Sequence, residues 1–261
     1  MNPSAIPSSA NTELSRREFA QRSLQALTAM ALIEGLFAHR LFGANVSPII
    51  DRWFQELHQI STDVHDHKLK DVEFQKALEK LYSRVDLDAL LKTLDFDKIA
   101  SGVNFPAKGA KSLPVDFTNV AGLPTNLVFG RQIFAMKQGR SIIPHGHDNM
   151  STGFIVLHGK LRGRHYDRVE DHPTHYLIRP TIDRTFTPGE FSTISDHKDN
   201  VHWFLAESET AFVFNIHVND TDPGNPKRPG RVYIDPQGEK VADGLIKAPR
   251  ISYGQANSLY G

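Results

Sequence analysis

Between residues 45 and 100, hydrophobic residues recur with the three-and-four spacing of an amphipathic helix. The members of this pattern are Ile49, Ile50, Trp53, Phe54 and Leu57, followed by Phe74, Ala77, Leu78 and Leu81. The pattern resumes after Asp86, a residue type that commonly caps the N-terminus of a helix. We therefore predict a helical extension over residues 45–100.

Beyond Leu123 the hydrophobic period changes to two, which is the period of a half-buried strand. About nine short alternating segments follow, separated by turns rich in Gly and Pro, and such a series is typical of an all-β sandwich or barrel. The prediction is a barrel over residues 101–235, beginning with a loop from Ser101 to Leu123. A C-terminal tail over residues 236–261 completes the chain.

The composition excludes several classes of function. The 261 residues include 30 Lys and Arg against 30 Asp and Glu, and this balance argues against a nucleic-acid-binding protein or a polybasic membrane-surface protein. No apolar run reaches the roughly 18 to 20 residues of a stable membrane span. The absence of cysteine excludes disulfides, thiolate zinc ligands and a cysteine nucleophile. The 13 histidines are therefore the first place to look for chemistry.

Residues 1–44 contain a candidate targeting signal. Ser15-Arg16-Arg17-Glu18-Phe19 directly precedes a mildly apolar run from Ser23 to Ala38, and the arrangement resembles a twin-arginine export signal. The resemblance implies a periplasmic or otherwise extracytoplasmic protein that engages the Tat export machinery. Glu34 interrupts the apolar run, so an ordinary amphipathic helix on a cytoplasmic protein is the alternative.

Three histidines have the spacing of a metal site. His145-Gly146-His147 places two imidazoles on one face of an extended strand, and the glycine between them avoids crowding. His202 opens the apolar segment that continues to Leu205, and it is the best candidate for a third ligand from a neighbouring strand. Three neutral imidazoles on a divalent ion leave positions open for a substrate and for dioxygen or water.

The spacing of these residues resembles the cupin superfamily. Gly139, His145, His147 and Gly159 fit the first cupin motif, and Pro188-Gly189 with His202 fourteen residues after Pro188 is similar to the second. Thr152 stands where cupins usually carry a glutamate ligand. The resemblance covers residues 125–218. It implies a double-stranded β-helix, also called a jelly-roll barrel, with His145, His147 and His202 as metal ligands and catalytic centre.

Without the glutamate the site would keep the full charge of a divalent ion, which suits an anionic substrate such as a thiolate. Ile143–His147 and Asn200–Ala206 resemble the corresponding segments of the three-histidine thiol dioxygenases, the cysteamine dioxygenase and plant cysteine oxidase type. The resemblance implies Fe²⁺, with Mn²⁺, Ni²⁺ or Zn²⁺ as alternatives, and a small thiol and O₂ as substrates. Phe214 replaces an acidic residue of the plant enzymes, so the resemblance to them is weaker at the substrate pocket than at the metal site.

Six further residues are expected to contact the substrate, because they lie on or beside the site strands: Arg131, Arg162, Arg164, His165, Tyr166 and Phe214. An arginine here would meet a substrate carboxylate; a solvent-facing strand position is the alternative. His217 has the opposite strand parity to Phe214 and Ile216, and we expect it to point outward.

Three functions remain open at this point. The first is an iron dioxygenase that converts a small thiol to a sulfinate. The second is a cupin isomerase, lyase or non-thiol dioxygenase that uses another divalent metal, and the third is a non-catalytic ligand-binding cupin. An exported location weighs against the first, since free thiols are scarce outside the cytoplasm. The helical extension and the tail could cap the barrel or mediate a homo-oligomer.

Overall fold

The computed structural model describes residues 49–226 and 228–261, and helices come first along this part of the chain. They are α1 (Ile49–His65), α2 (Asp71–Tyr82), α3 (Leu87–Thr93) and α4 (Phe96–Ser101). The buried face of α1 carries Trp53 and Leu57, as the hydrophobic spacing predicts. Asp86 caps α3, because its carboxylate accepts a hydrogen bond from the backbone N–H of Ala89. The predicted N-terminal helices are confirmed.

The strands and one further helix follow, in an order that brings distant segments of the chain together. The described strands are β1 (Lys111–Pro114), β2 (Phe129–Lys137), β3 (Ser141–Asp148), β4 (Met150–His158), β5 (Leu161–Asp171), β6 (His175–Phe186), β7 (Phe191–Ile194), β8 (Val201–Ala206), β9 (Thr210–Asn219), β10 (Gly230–Tyr233), β11 (Glu239–Lys240) and β12 (Ile246–Pro249). A short 3₁₀ helix spans Ala242–Gly244, and α5 spans Tyr253–Tyr260.

The strands form two antiparallel sheets with jelly-roll connections. One sheet has the order β1-β2-β9-β4-β7, and the other has the order β10-β3-β8-β5-β6-β12-β11. Without the additions at their edges these orders reduce to β2-β9-β4-β7 and β3-β8-β5-β6, the pattern of two interlocked Greek keys. The predicted all-β class, a cupin-type double-stranded β-helix behind a helical extension, is confirmed.

Both faces of the five-stranded sheet are buried, and this determines which side chains can reach the barrel interior. The barrel core, between the two sheets, contains Phe134, Met136, Phe154, Val156, Phe204 and Val213. The helix-side core, on the opposite face, packs α1, α2 and α3 against Ile133, Ile155, Phe212, Phe214, Ile216 and Val218. Consecutive residues of a strand therefore enter different cores.

Two segments differ from the sequence prediction. Lys111–Pro114 lies in the segment predicted as a loop, yet it pairs with β2 as an edge strand, a position in which Pro114 need not donate to the ladder. The tail is also structured, because β12 pairs with β6 and extends the seven-stranded sheet. The described residues, 49–226 and 228–261, belong to one compact unit, and none of their helices is long and apolar enough to cross a membrane.

Candidate metal centre

A β-bulge in β3 directs the two motif histidines into the barrel. Ile142 pairs with Phe204 and His145 pairs with His202, so two residues of β3 oppose the single residue Trp203 of β8. Ile142 faces the barrel core; without the extra residue, His145 would have the opposite parity and face away from it. Pro144 lies in the bulge, where a missing N–H is tolerated.

The structure brings the three predicted histidines together. One ring nitrogen from each of His145, His147 and His202 lies within 4.8 Å of the others. The ring centroids of His145 and His202 are 4.1 Å apart, and that of His147 lies 5.1 Å and 5.0 Å from theirs. All three side chains are almost completely buried, with at most 2% exposure. Side chains from two neighbouring strands thus converge on one point.

Burial keeps these imidazoles neutral. It is the main cause that lowers the pKa of His145 to about 3, and the guanidinium of Arg231 lowers it further. Burial likewise places the pKa of His147 and of His202 well below its usual value, and the neighbouring histidines and Arg231 act in the same direction. Neutral imidazole is the form that binds a metal ion.

The hydrogen bonding of the triad fits a bound cation. His145 Nδ1 lies 2.8 Å from the backbone oxygen of Ile143, which leaves Nε2 free to face the other two rings. Both ring nitrogens of His202 are buried and have no hydrogen-bond partner among the described residues, and the buried ring nitrogens of His147 have no partner at good hydrogen-bond geometry, although the Met150 backbone is close enough to raise the pKa of His147 slightly against the effect of burial. Buried polar atoms without partners are costly, and a divalent ion with a preference for imidazole would satisfy one nitrogen of each ring.

The backbone of His147 is held by side chains outside the triad. The amide oxygen of Asn200 accepts from the His147 N–H at 3.1 Å, and its Nδ2 donates to the His147 carbonyl at 2.9 Å. Arg168 Nη1 donates to the same carbonyl at 3.0 Å. Gly146 is needed here, since a Cβ at that position would lie 2.6 Å from the Asn200 oxygen. These contacts fix where the His147 ring enters the barrel.

His217 lies on the opposite wall, and the prediction that it points outward is wrong. Its partners in the five-stranded sheet are Gly130 on one side and Thr152 on the other. A Cβ at Gly130 would overlap the His217 ring, so the glycine makes room for it. Burial lowers the pKa of His217, and its charge would act on His147. Parity separated His217 from Phe214 correctly, but the inner and outer faces of β9 were exchanged.

Thr152, at the usual position of the cupin glutamate, is engaged within its own sheet. Its hydroxyl donates to the backbone oxygen of Ile216 at 2.5 Å and accepts from Asn215 Nδ2 at 2.6 Å. The Asn215 oxygen accepts from Gln132 Nε2 at 3.1 Å. This polar ladder crosses β2, β9 and β4 on their inner face. Asn215 and Gln132 were not predicted, because their common face depends on strand pairing.

Of the six predicted substrate contacts, His165 lies inside the barrel near the triad. It pairs with His202, and the two ring centroids are 6.3 Å apart. Ser192 Oγ lies 3.0 Å from its Nε2, and burial is the main cause that lowers the pKa of His165 to about 3. His165 therefore lines the interior beside the triad, while the ring nitrogens that converge belong to the other three histidines.

The other five lie on outer faces, contrary to the expectation that they contact substrate. The Arg131 guanidinium carbon is 5.3 Å from the ring centroid of Phe117 in the helix-side core, which also contains Phe214. Arg162 and Arg164 both contact Asp183, at 2.5 Å and 3.4 Å. Tyr166 directly follows the inward-facing His165 in β5, so alternation places it on the outer face, in a cluster with Tyr176, Ile178 and Val201.

Two residues at the site were missed because they come from an added strand. β10 pairs with β3 so that Arg231 faces His147 and Tyr233 faces His145. The ring centroids of Tyr233 and His145 are 6.0 Å apart. The sequence predicts a strand here from the alternation in Arg231–Ile234, but alternation does not identify the neighbouring strand.

Comparison with known proteins adds likenesses of fold. No protein-family model matches the chain, and no curated protein matches it. Among similar solved structures, a cupin superfamily protein from Desulfitobacterium hafniense is 12% identical, with a TM-score of 0.32 over 47% of this chain and 88% of its own. A double-stranded β-helix domain protein from Klebsiella pneumoniae is 12% identical, with a TM-score of 0.33 over 47% and 82%.

An oxalate oxidase is 16% identical, with a TM-score of 0.36 over 53% of this chain and 61% of its own. These identities and TM-scores carry no argument about activity. The assignment of the fold rests on the strand order itself.

Proposed function

We propose that this protein is a metal-dependent cupin oxygenase, and specifically an iron(II) dioxygenase that converts a small thiol to a sulfinate. The observation that carries the proposal is the convergence of His145, His147 and His202, buried and neutral, with Thr152 in place of a carboxylate. Three neutral imidazoles hold a divalent ion without reducing its charge, and an anionic thiolate would supply the missing negative charge.

The proposed reaction balances without a further reductant. A thiolate and one dioxygen molecule give a sulfinate; two S–O bonds form, the O–O bond breaks, and sulfur loses the four electrons that the two oxygen atoms gain. The chemistry that iron(II) supplies when bound is redox activation of dioxygen. The residues of the chain hold the ion through the triad, exclude water through burial, and orient the substrate along the interior wall.

Other side chains of the barrel interior would exclude water and orient the substrate. Phe154, whose ring centroid is 5.3 Å from that of His202, supplies an apolar surface close to the reacting centre. Asn215 holds the Thr152 hydroxyl toward the Ile216 carbonyl, so the threonine is not free to act as a ligand. His165 and His217 add imidazoles on either side of the triad. We propose that these two residues orient the substrate.

The test is oxygen uptake by protein purified without oxygen and loaded with Fe²⁺. The substrates are cysteamine, cysteine, 3-mercaptopropionate and a peptide with N-terminal cysteine, and the product is analysed for a mass gain of two oxygen atoms. His147→Ala should abolish uptake and bound iron, while His65→Ala, at an exposed position, should change neither. Failure of every thiol with folded, iron-loaded protein would refute the thiol dioxygenase. A non-thiol cupin enzyme or a ligand-binding cupin would then remain.

Export is proposed on the sequence alone, since residues 15–19 lie outside the described part of the chain. Replacing Arg16 and Arg17 together by Lys should retain the protein in the cytoplasm of a Tat-competent bacterium. Replacing Arg22 by Lys is the control, because that residue follows the motif. Equal amounts of all variants in the periplasmic fraction would exclude a twin-arginine signal.

A further inference from the structure

Arg231 occupies the edge of the seven-stranded sheet, directly beside the triad. It pairs with His147 across β10 and β3, and Tyr233 pairs with His145. Directly opposed residues of an antiparallel pair project from the same face with Cβ atoms about 4.5–5.5 Å apart. Arg231 and Tyr233 therefore project on the face that carries the triad, while Val232 between them packs in the outer cluster. Arg231 is exposed, so solvent reaches it.

A small cavity connects this edge with the triad. It has a volume of about 100 Å³, and its lining includes His145, Arg231, Tyr233, Phe134 and Ile142. One water molecule accounts for about 30 Å³ of liquid water, so the cavity suits a group of only a few heavy atoms. A ligand in this cavity would contact residues of the added strand β10 as well as His145 of the triad.

Among the described residues, none is a partner for the charge of Arg231. Its guanidinium makes no ion pair or side-chain hydrogen bond with any residue of the described ranges, whereas Arg162, Arg168 and Arg184 each contact a carboxylate. The converging group itself holds no carboxylate. Arg231 therefore brings a positive charge beside the triad for which the described residues supply no carboxylate.

We infer that Arg231 anchors the carboxylate of an anionic substrate whose other end reaches the triad. The inference rests on the proposed function and narrows its substrate class to small thiols that also carry a carboxylate. A guanidinium binds a carboxylate through two parallel N–H donors, which fixes direction as well as charge. Cysteine and 3-mercaptopropionate have this chemistry. Cysteamine, whose amine is cationic, lacks it and meets the same positive field.

The experiment compares cysteine with cysteamine, which share the thiol and the amine and differ by the carboxylate. Binding to iron-loaded protein is measured by calorimetry without oxygen, together with the iron content of each variant. Arg231→Gln should weaken cysteine binding roughly ten- to a hundredfold, the range for a charge-assisted hydrogen bond. Cysteamine binding and iron stoichiometry should not fall. The matched control is Arg164→Gln, which removes the same charge from the outer face and should alter neither ligand.

Each failure has a distinct signature. Equal loss of both ligands, or unchanged cysteine binding in Arg231→Gln, would overturn the anchor. So would a wild-type protein that binds neither cysteine nor propionate, a carboxylate without a thiol. If propionate binding depends on Arg231 but no thiol supports oxygen uptake, the anchor stands and the dioxygenase fails. If thiols support uptake with no preference for a carboxylate, the dioxygenase stands and the anchor fails.

Discussion

Acid should destabilise the metal-free protein strongly between pH 7 and pH 5, because several histidines are buried in the neutral form. Burial lowers the pKa of both His145 and His165 to about 3, against 6.5 in the unfolded chain. Below pH 6.5 these histidines bind protons in the unfolded chain, whereas in the folded protein they stay neutral. The stability associated with each group is therefore present above pH 6.5 and is lost as the pH falls towards the folded pKa.

The size of this loss of stability follows from the difference between the pH and the pKa of an unfolded histidine. At pH 5 the unfolded histidine is about 1.5 units below its pKa, which corresponds to about 2 kcal/mol for each buried histidine. His145 and His165 together therefore cost about 4 kcal/mol, and His147 and His202 act in the same direction. A typical domain has only about 5–15 kcal/mol of stability. The side chain of His197 opposes the trend, since its hydrogen bond with Asp71 raises its pKa, but it is 61% exposed.

The assay is urea unfolding of chelator-treated protein at pH 7, 6 and 5, with free energies from linear extrapolation. His165→Gln removes one buried histidine outside the triad, so its loss of stability between pH 7 and pH 5 should be about 2 kcal/mol smaller than that of the wild type. His65→Gln, at an exposed position, is the control. A wild-type stability that is constant over this range would refute the reasoning, as would an unchanged pH dependence in His165→Gln.

Three further substitutions separate structural roles from the site. Phe214→Ala should lower the free energy of unfolding by roughly 3–5 kcal/mol while bound iron per chain stays unchanged, because this fully buried ring lies in the helix-side core; urea unfolding and metal analysis check both. Asn200→Ala removes the side-chain amide that hydrogen-bonds the backbone N–H and carbonyl of His147, so we expect weaker metal binding in a competition with a chelator. Wild-type metal affinity in this variant would contradict the role of Asn200. Gly130→Ala should displace the His217 ring and shift its NMR signals, whereas Gly230→Ala, whose methyl group meets no atom closer than 3.8 Å, should leave them in place.

The pairing of two histidines at the candidate site could be predicted because it depends on local spacing. Positions i and i+2 share a face in any strand, so His145 and His147 form a pair without knowledge of the fold. Local spacing does not determine whether the two rings point into the barrel or away from it. Their direction depends on the bulge before His145, and the hydrophobic pattern of β3 gives no indication of the extra residue. The cupin resemblance, rather than periodicity, implied that both rings point inward.

Face assignment failed where both sides of a strand are buried. Phe214 and His217 were separated correctly by parity, but the more hydrophobic face of β9 packs under the helices and the more polar face lines the barrel. Hydrophobicity identifies the interior only when the other face meets water. The same exchange placed Arg131 on the wrong side, since its partner Ile216 belongs to the helix-side core. The helical extension therefore determines which residues can line the site.

The two sheets contribute different charges to the candidate site. The seven-stranded sheet contributes the triad and, from its edge strand, the guanidinium of Arg231, which has no ion pair within the described part of the chain. The five-stranded sheet contributes neutral groups, with Thr152 held by Asn215 at the position from which a cupin glutamate would reach the ion. A divalent ion in this frame would lack any anionic ligand from the converging group, so negative charge has to arrive with the substrate. Because Arg231 pairs with His147 and shares a cavity lining with His145, a ligand with a negative group at each end would neutralise both Arg231 and an ion held by the triad, whereas a ligand with one such group would leave one positive charge uncompensated.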